Sequence, residues 1–203
     1  MLVKKLTEGC SDVADIQKNK SILDNFGYTS DKKEVLSWNL VEMAEGCGNH
    51  ARLIAAHGIA AVPFVDVSKD QGTNKSRERF FSDSDLKKWL NDTFLYDFFN
   101  EEERRYIKSV DIPSSEDIEK WFAEESDRVC VPTKFAMGQG AAVYKNDISE
   151  KACAYWLSDT GRRKGMSAAV VLSNGKIYKS AYMGAGNVCV RPVIEVVRKE
   201  LWR

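Results

Sequence analysis

Residues 167–180 carry the tightest local constraint in the chain. Ser167-Ala168-Ala169-Val170-Val171-Leu172 is a short apolar run, and Ser173-Asn174-Gly175 follows it. Lys176-Ile177-Tyr178-Lys179-Ser180 then returns. Asn-Gly supplies the positive-φ positions of a tight hairpin turn, so the stretch predicts two antiparallel strands. Upstream lies Ala154-Tyr155-Trp156-Leu157-Ser158-Asp159-Thr160, and downstream Asn187-Val188-Cys189-Val190-Arg191-Pro192-Val193. An aromatic pair opens this C-terminal region and an Arg-Pro strand closes it. Apolar anchors alternate with polar tips between them, which is how a recognition surface is built on a fixed frame.

The rest of the chain reads as mixed helix and strand. Val35 to Met43 and Ala51 to Ala56 are β-capable, with Trp38, Leu40 and Glu42 expected on one face by the two-residue period. Glu45 to Asn49 reads as their hairpin connection, and residues 66–80 as a long exposed loop. Ser82 is expected to cap a helix with Asp85 as its box partner, followed by Leu86, Trp89, Leu90 and Phe94 at helical spacing. Asn100 caps a second helix whose first turn holds Glu101, Glu102 and Glu103. Ser114 or Ser115 caps a third, with Ile118, Trp121 and Phe122 inward. Val129 to Thr133 reads as a short strand, Gly138-Gln139-Gly140 as a loop, and Val188 to Val197 as one final strand. The expected fold class is α+β, with residues 1–24 as an N-terminal arm or helix and residues 25–203 as one domain.

Composition narrows the function classes. The 203 residues are 43% hydrophobic and 30% charged, with a formal net charge of zero. No basic excess points to nucleic acid, and no run approaches the ~18 apolar residues of a membrane span. The N-terminus lacks an apolar signal region, so the chain is expected to stay in the cytoplasm as synthesised or to ride on a virion or particle. Five cysteines are widely spaced without a Cys-x-x-Cys pair, which favours buried free thiols over a zinc knuckle or disulfide framework. His50 and His57 have no acidic or cysteine neighbours that would make a metal site. No cofactor is expected.

Two loops are the candidate ligand-binding sites. Thr160-Gly161-Arg162-Arg163-Lys164-Gly165-Met166 places three cations between glycines, suited to a carboxylate, a phosphate or an acidic protein patch, or merely to solubility. Ala181-Tyr182-Met183-Gly184-Ala185-Gly186-Asn187 carries an aromatic and a methionine expected to be exposed. The candidate residues are Ser158, Asp159, Thr160, Arg162, Arg163, Lys164, Met166, Lys179, Tyr182, Met183 and Asn187. Of Tyr155 and Trp156, strand alternation expects one inward and one outward, Trp156 being the core residue. Arg191 is expected to be partly buried scaffold, held by an ion pair or by carbonyls. No catalytic residue stands out: there is no Ser-His-Asp order, phosphate-binding glycine loop or His-Glu-x-x-His helix.

Several pieces recur in order: Phe26-Gly27-Tyr28, Trp38, Ser84 to Asn91, Phe99-x-x-Glu102, Val131-Pro132-Thr133, Tyr155-Trp156-Leu157-Ser158, Asn174-Gly175 and Val190-Arg191-Pro192-Val193. With them the chain resembles an uncharacterised bacterial and phage domain family of the C-type-lectin-like superfold. That superfold also houses formylglycine-generating enzyme and the variable proteins of diversity-generating retroelements. The resemblance covers residues 25–197. It implies a single domain with short antiparallel sheets, whose C-terminal loops bind a protein or cell-surface ligand, and it brackets a diversifiable segment at 158–187. It also implies alternatives: a divergent formylglycine-generating-type enzyme, or a structural subunit of a phage-like particle. The enzyme pattern needs a closely spaced cysteine pair, and Cys130, Cys153 and Cys189 are far apart in sequence. The triplets of sugar-binding lectins are absent, while a calcium site from scattered carboxylates stays open.

Overall fold

A computed structural model describes residues 25–43, 50–69, 80–163 and 166–197. The expected N-terminal arm, the 45–49 connection, most of the 66–80 loop, Lys164 and the C-terminal tail lie outside them. The fold is α+β, as the sequence indicates. A four-stranded sheet has the order β1-β2-β9-β4, formed by β1 (Trp38–Met43), β2 (His50–Ala55), β9 (Val193–Val197) and β4 (Ile107–Asp111). A five-stranded sheet has the order β3-β8-β5-β6-β7. Its strands are β3 (Ala60–Ala61), β8 (Cys189–Val190), β5 (Tyr155–Thr160), β6 (Ser167–Val171) and β7 (Ile177–Tyr182).

The expected final strand is in fact two. β8 pairs with β3 and β5, whereas β9 pairs with β2 and β4. Arg191-Pro192 separates them and hands the chain from one sheet to the other. Proline has no N–H to give a ladder, so a single strand cannot run through it. The expected strand at Val129–Thr133 reduces to isolated bridges, Gly58 with Pro132 and Cys130 with Cys153.

Short helices cover the sheets. Phe81–Asp83 is one 3-10 turn. Helix α1 (Asp85–Trp89) is capped by Ser84, which accepts from the Lys87 amide. The cap is therefore two residues later than expected, because Ser82 lies inside the 3-10 turn. A π turn at Leu90–Phe94 joins α1 to α2 (Leu95–Asp97). Leu90 and Phe94, four positions apart and so on one face, are both fully buried. Helix α3 (Glu101–Arg104) has the expected Asn100 cap, completed by Glu103, whose other oxygen accepts from Gly27. Helix α4 (Ser115–Trp121) has a Ser114–Asp117 capping box. Helices α5 (Glu125–Arg128) and α6 (Lys134–Gly138) follow, α6 including Gly138 where a loop was expected.

Two cores result. One holds an aromatic cluster in which Phe99 meets Phe26, Trp38 and Phe94 at 5.2, 6.1 and 5.2 Å. The other gathers Ile118, Trp121 and Phe122 from α4 and its C-cap against Tyr155, Leu157, Val171 and Val193. Burying each large aromatic contributes about 2–3 kcal/mol. Strand β5 lies between these cores. Trp156 enters one and Tyr155 the other, and both are fully buried. The expectation of one outward aromatic fails because both faces of this interior strand are covered. A bulge between Leu40 and Glu42 likewise interrupts the expected two-residue period in β1. No helix among the described residues is long and apolar enough to cross a membrane.

Candidate functional site

The Asn-Gly hairpin forms as expected. Gly175 has φ +86°, and its amide donates to Leu172 while Leu172 donates to Lys176. This hairpin leaves β7 at the edge of the five-stranded sheet. The basic loop then folds back onto β7. Arg162 donates its amide to the Lys179 carbonyl at 2.7 Å, and Arg163 donates its amide to Ser167 Oγ at 2.9 Å. Met183 donates its amide to the Met166 carbonyl, and Ser167 is the register partner of Tyr182. A pinned backbone thus brings Arg162, Arg163, Met166, Lys179 and Tyr182 together. Their side chains are exposed, Met166 at 56% and Tyr182 at 57%. Thr160, at the end of β5, is exposed beside them.

Beside this face runs a groove of about 280 Å³, lined by Glu119, Arg162, Ile177, Tyr178, Lys179 and Ser180. Tyr178 and the Glu119 wall from α4 were not among the expected site residues. The hairpin pattern could have suggested Tyr178, since a polar-tipped residue on a returning strand has an outward option. Glu119 reaches the groove only through tertiary packing.

The electrostatics differ between the two sheets. On the four-stranded sheet the charges are spent on one another. Arg52 pairs with Glu42 at 2.9 Å and Asp117 at 3.2 Å, and Lys108 with Glu195 at 2.9 Å. Lys120 also holds Glu42. These contacts keep the carboxyls of Glu42 and Glu195 below their usual range, chiefly through hydrogen bonds from Lys120 and Lys108. Arg162, Arg163 and Lys179 make no ion pair among the described residues.

Other expected site residues belong to the scaffold. Asp159 Oδ2 accepts from the Ser115 amide at 2.6 Å and from its hydroxyl at 2.9 Å, anchoring the start of α4. Ser158 donates its amide to Pro113. Asn187 is exposed but precedes β8, on the far side of β5 from β7, and its carbonyl accepts from Ala142. Met183 corrects the expectation outright. It is only 2% exposed and packs in the aromatic core. Its carbonyl accepts from Val65, and the Tyr182 ring lies over Gly184, where an added Cβ would come within 2.8 Å of it. The glycine here makes room for a close fold-back and does not lift the loop into solvent.

Sequence spacing also concealed a convergence of thiols. Cys130 and Cys153 face each other in a bridge, and a Cβ placed on Gly58 would lie 3.0 Å from Cys189 Sγ and 3.2 Å from Cys153 Sγ. All three cysteines are buried and free. A hydrogen bond to Cys153 and burial push the Cys130 thiol up. Cys153 is pulled down by Cys130 but raised more by its bond to Cys189 and by burial. Cys130 and Cys153 are therefore protonated at neutral pH and poor nucleophiles. Arg191, 3% exposed, carries a charge that acts on Cys130 and Cys153 and favours their charged forms. Its Nε donates to the Ala55 carbonyl and its Nη1 to Tyr155 Oη, while its guanidinium stacks over the Phe122 and Tyr155 rings at 5.2 Å. This is the expected scaffold role, with a carbonyl and rings in place of a carboxylate. His57 Nδ1 is 3.2 Å from the Val131 carbonyl, and His50 lies 3.9 Å from Glu195. No group of three or more His, Cys, Asp or Glu placed so as to hold a metal ion occurs among the described residues.

Comparison with curated proteins finds no match, and neither does comparison with solved structures. A family model does match residues 51–197, a span running from β2 through the groove to β9. The chain belongs to that family, described as "Domain of unknown function (DUF6273)".

Proposed function

We propose that this chain is a non-enzymatic recognition protein whose ligand is another protein, and whose binding face is built on β7 and the basic loop. The observation that carries this reading is the contrast in charge use. Among the described residues, Arg162, Arg163 and Lys179 make no ion pair and lie beside exposed Met166, Tyr178 and Tyr182, while the other sheet neutralises its own charges. Exposed arginine, tyrosine and methionine on a pinned backbone suit a protein partner. The face costs little ordering on binding, because the loop backbone is already tied to β7. The experiment is affinity capture from cells of the source organism by the intact protein and by a variant with Arg162, Arg163, Lys179 and Tyr182 replaced by alanine. A partner retained by the intact protein and lost by an equally stable variant is the expected result. Equal capture by both would remove the proposal.

In a sharper version, the resemblance to retroelement variable proteins holds, and residues 158–187 are diversified. Deep sequencing of the locus in a population grown from few founders tests this. Variation should then fall on Thr160, Arg162, Arg163, Met166, Lys179 and Tyr182, and spare the buried positions of β6 and Met183. An invariant segment would dismiss this version and leave a fixed site.

The enzyme reading draws on one observation, the convergence of Cys130, Cys153 and Cys189. Replacing each by serine separates the readings. Loss of a peptide-oxidation activity with folding intact would favour an enzyme.

A further inference from the structure

We infer that the groove beside β7 takes an extended, acidic segment of the partner protein, added to the edge of the five-stranded sheet as a further strand. This rests on the recognition reading above and names the chemistry of its partner. Strand addition gives affinity through main-chain hydrogen bonds and specificity through flanking side chains.

Among the described residues, no strand pairs with the outer edge of β7. Leu172 donates to Lys176, and the ladder continues with Val171 opposite Ile177 and Val170 opposite Tyr178. By antiparallel alternation, Lys176 and Tyr178 turn their backbone groups toward β6, and Ile177 turns its N–H and C=O outward to the groove. The Lys179 carbonyl is already taken by Arg162. A bulge follows between the partners of Ala168 and Val170. The added segment is therefore short, centred on Ile177, with α4 as the opposite wall through Glu119.

The charges decide what enters. Arg162 and Lys179 line the groove, with Arg163 exposed in the adjoining loop and Lys176 exposed beside it. Glu119 is the one carboxylate among the lining residues. An acidic strand gains from these cations, and arginine can meet its carboxylates with two bonds. The same residues reject a second copy of this chain. Antiparallel pairing of two β7 edges would set Lys176 and Lys179 of one against the lysines of the other. Lysine and a bulge on an edge strand are the usual guards against self-association, and here they also select the sign of the guest. Nucleic acid is a poorer fit, since the chain has no net positive charge.

The test is selection of a random dodecapeptide display library on the full chain, followed by synthesis of an enriched peptide. Its binding is measured to the intact protein and to the variant Arg162→Glu with Lys179→Glu. N-methylation along the peptide then asks whether its backbone is used. The inference expects peptides rich in Asp and Glu and free of central proline. It expects at least a tenfold loss on charge reversal, and loss of binding when alternate residues are methylated but not the residues between them. Peptides that need this face yet lack acidic enrichment, or tolerate methylation everywhere, would overturn the strand inference and leave the recognition reading standing. Peptides indifferent to charge reversal, or no enrichment at all, would overturn both. If the double variant melts lower than the intact protein, Lys179→Glu alone and the methylation series decide.

Discussion

At the level of single residues, scaffold and face separate by what each side chain touches. Arg191 and Arg162 are both arginines on the C-terminal region, yet one is enclosed between rings and the other bare. Removing Arg191 takes the guanidinium donor from the Ala55 carbonyl and from Tyr155 Oη, which keeps its own bond to the Arg128 carbonyl, and opens a cavity between Phe122 and Tyr155. Arg191→Ala should therefore cost about 3 kcal/mol or more in urea unfolding. Arg162→Ala should stay within about 0.5 kcal/mol of the parent in the same experiment. The neighbours Met183 and Tyr182 give a second pair. Met183→Ala should cost about 2–5 kcal/mol and Tyr182→Ala far less, because only Met183 fills the core. Sequence alone could not make that distinction. A Tyr-Met-Gly run has the composition of an exposed loop, and only the contact between Tyr182 and Gly184 reveals the fold-back.

At the level of elements, whatever is decided within a few residues was legible. The caps at Asn100 and Ser114 and the Asn174-Gly175 turn follow from local hydrogen bonding and local sterics. The Ser82 assignment failed because two serines three positions from plausible partners compete, and the preceding 3-10 turn settles which one caps. Glycines extend the same logic to mutations. Gly175 has positive φ, and an added Cβ would lie 1.8 Å from the Glu125 carbonyl oxygen, so Gly175→Ala should lower the melting temperature sharply. Gly138 sits in α6 with nothing within 4 Å of an added Cβ. Gly138→Ala should raise stability, by about 0.5–1 kcal/mol in the same melts. Helix α4 carries a pH dependence. Burial pushes the Asp117 carboxyl up, but the Ser114 amide and hydroxyl and Arg52 together bring it below its ordinary range. Glu42 and Glu195 are lowered too. With folded values below unfolded ones, the unfolded chain takes up protons first on acidification, so this stability is complete above pH ~5.5 and fades as pH falls through the unfolded carboxyl range of about 4 and below. Asp117→Asn should be less stable at neutral pH and flatter between pH ~5 and ~3, read by urea titrations across that range.

At the level of the whole molecule, the arrangement was hidden because it depends on contacts far apart in sequence. Val188 to Val197 reads as one apolar strand, and nothing local says that its halves serve two sheets. The two cores on either side of β5 explain why an aromatic pair expected to straddle the surface is wholly internal. The meeting of Cys130, Cys153 and Cys189 is likewise invisible to spacing. What sequence did reveal was the C-terminal region as a place where polar tips ride on apolar anchors. The structure gathers five of the expected site residues, Arg162, Arg163, Met166, Lys179 and Tyr182, around β7. It assigns Ser158, Asp159 and Met183 to the frame and sets Asn187 apart. That division predicts where a binder leaves its mark. Backbone amide hydrogen exchange of the intact protein, with and without a peptide selected on it, should show added protection confined to residues 160–163 and 177–183, with the four-stranded sheet unchanged. Protection on β1, β2, β4 or β9, with β7 unaltered, would contradict the assignment of the face.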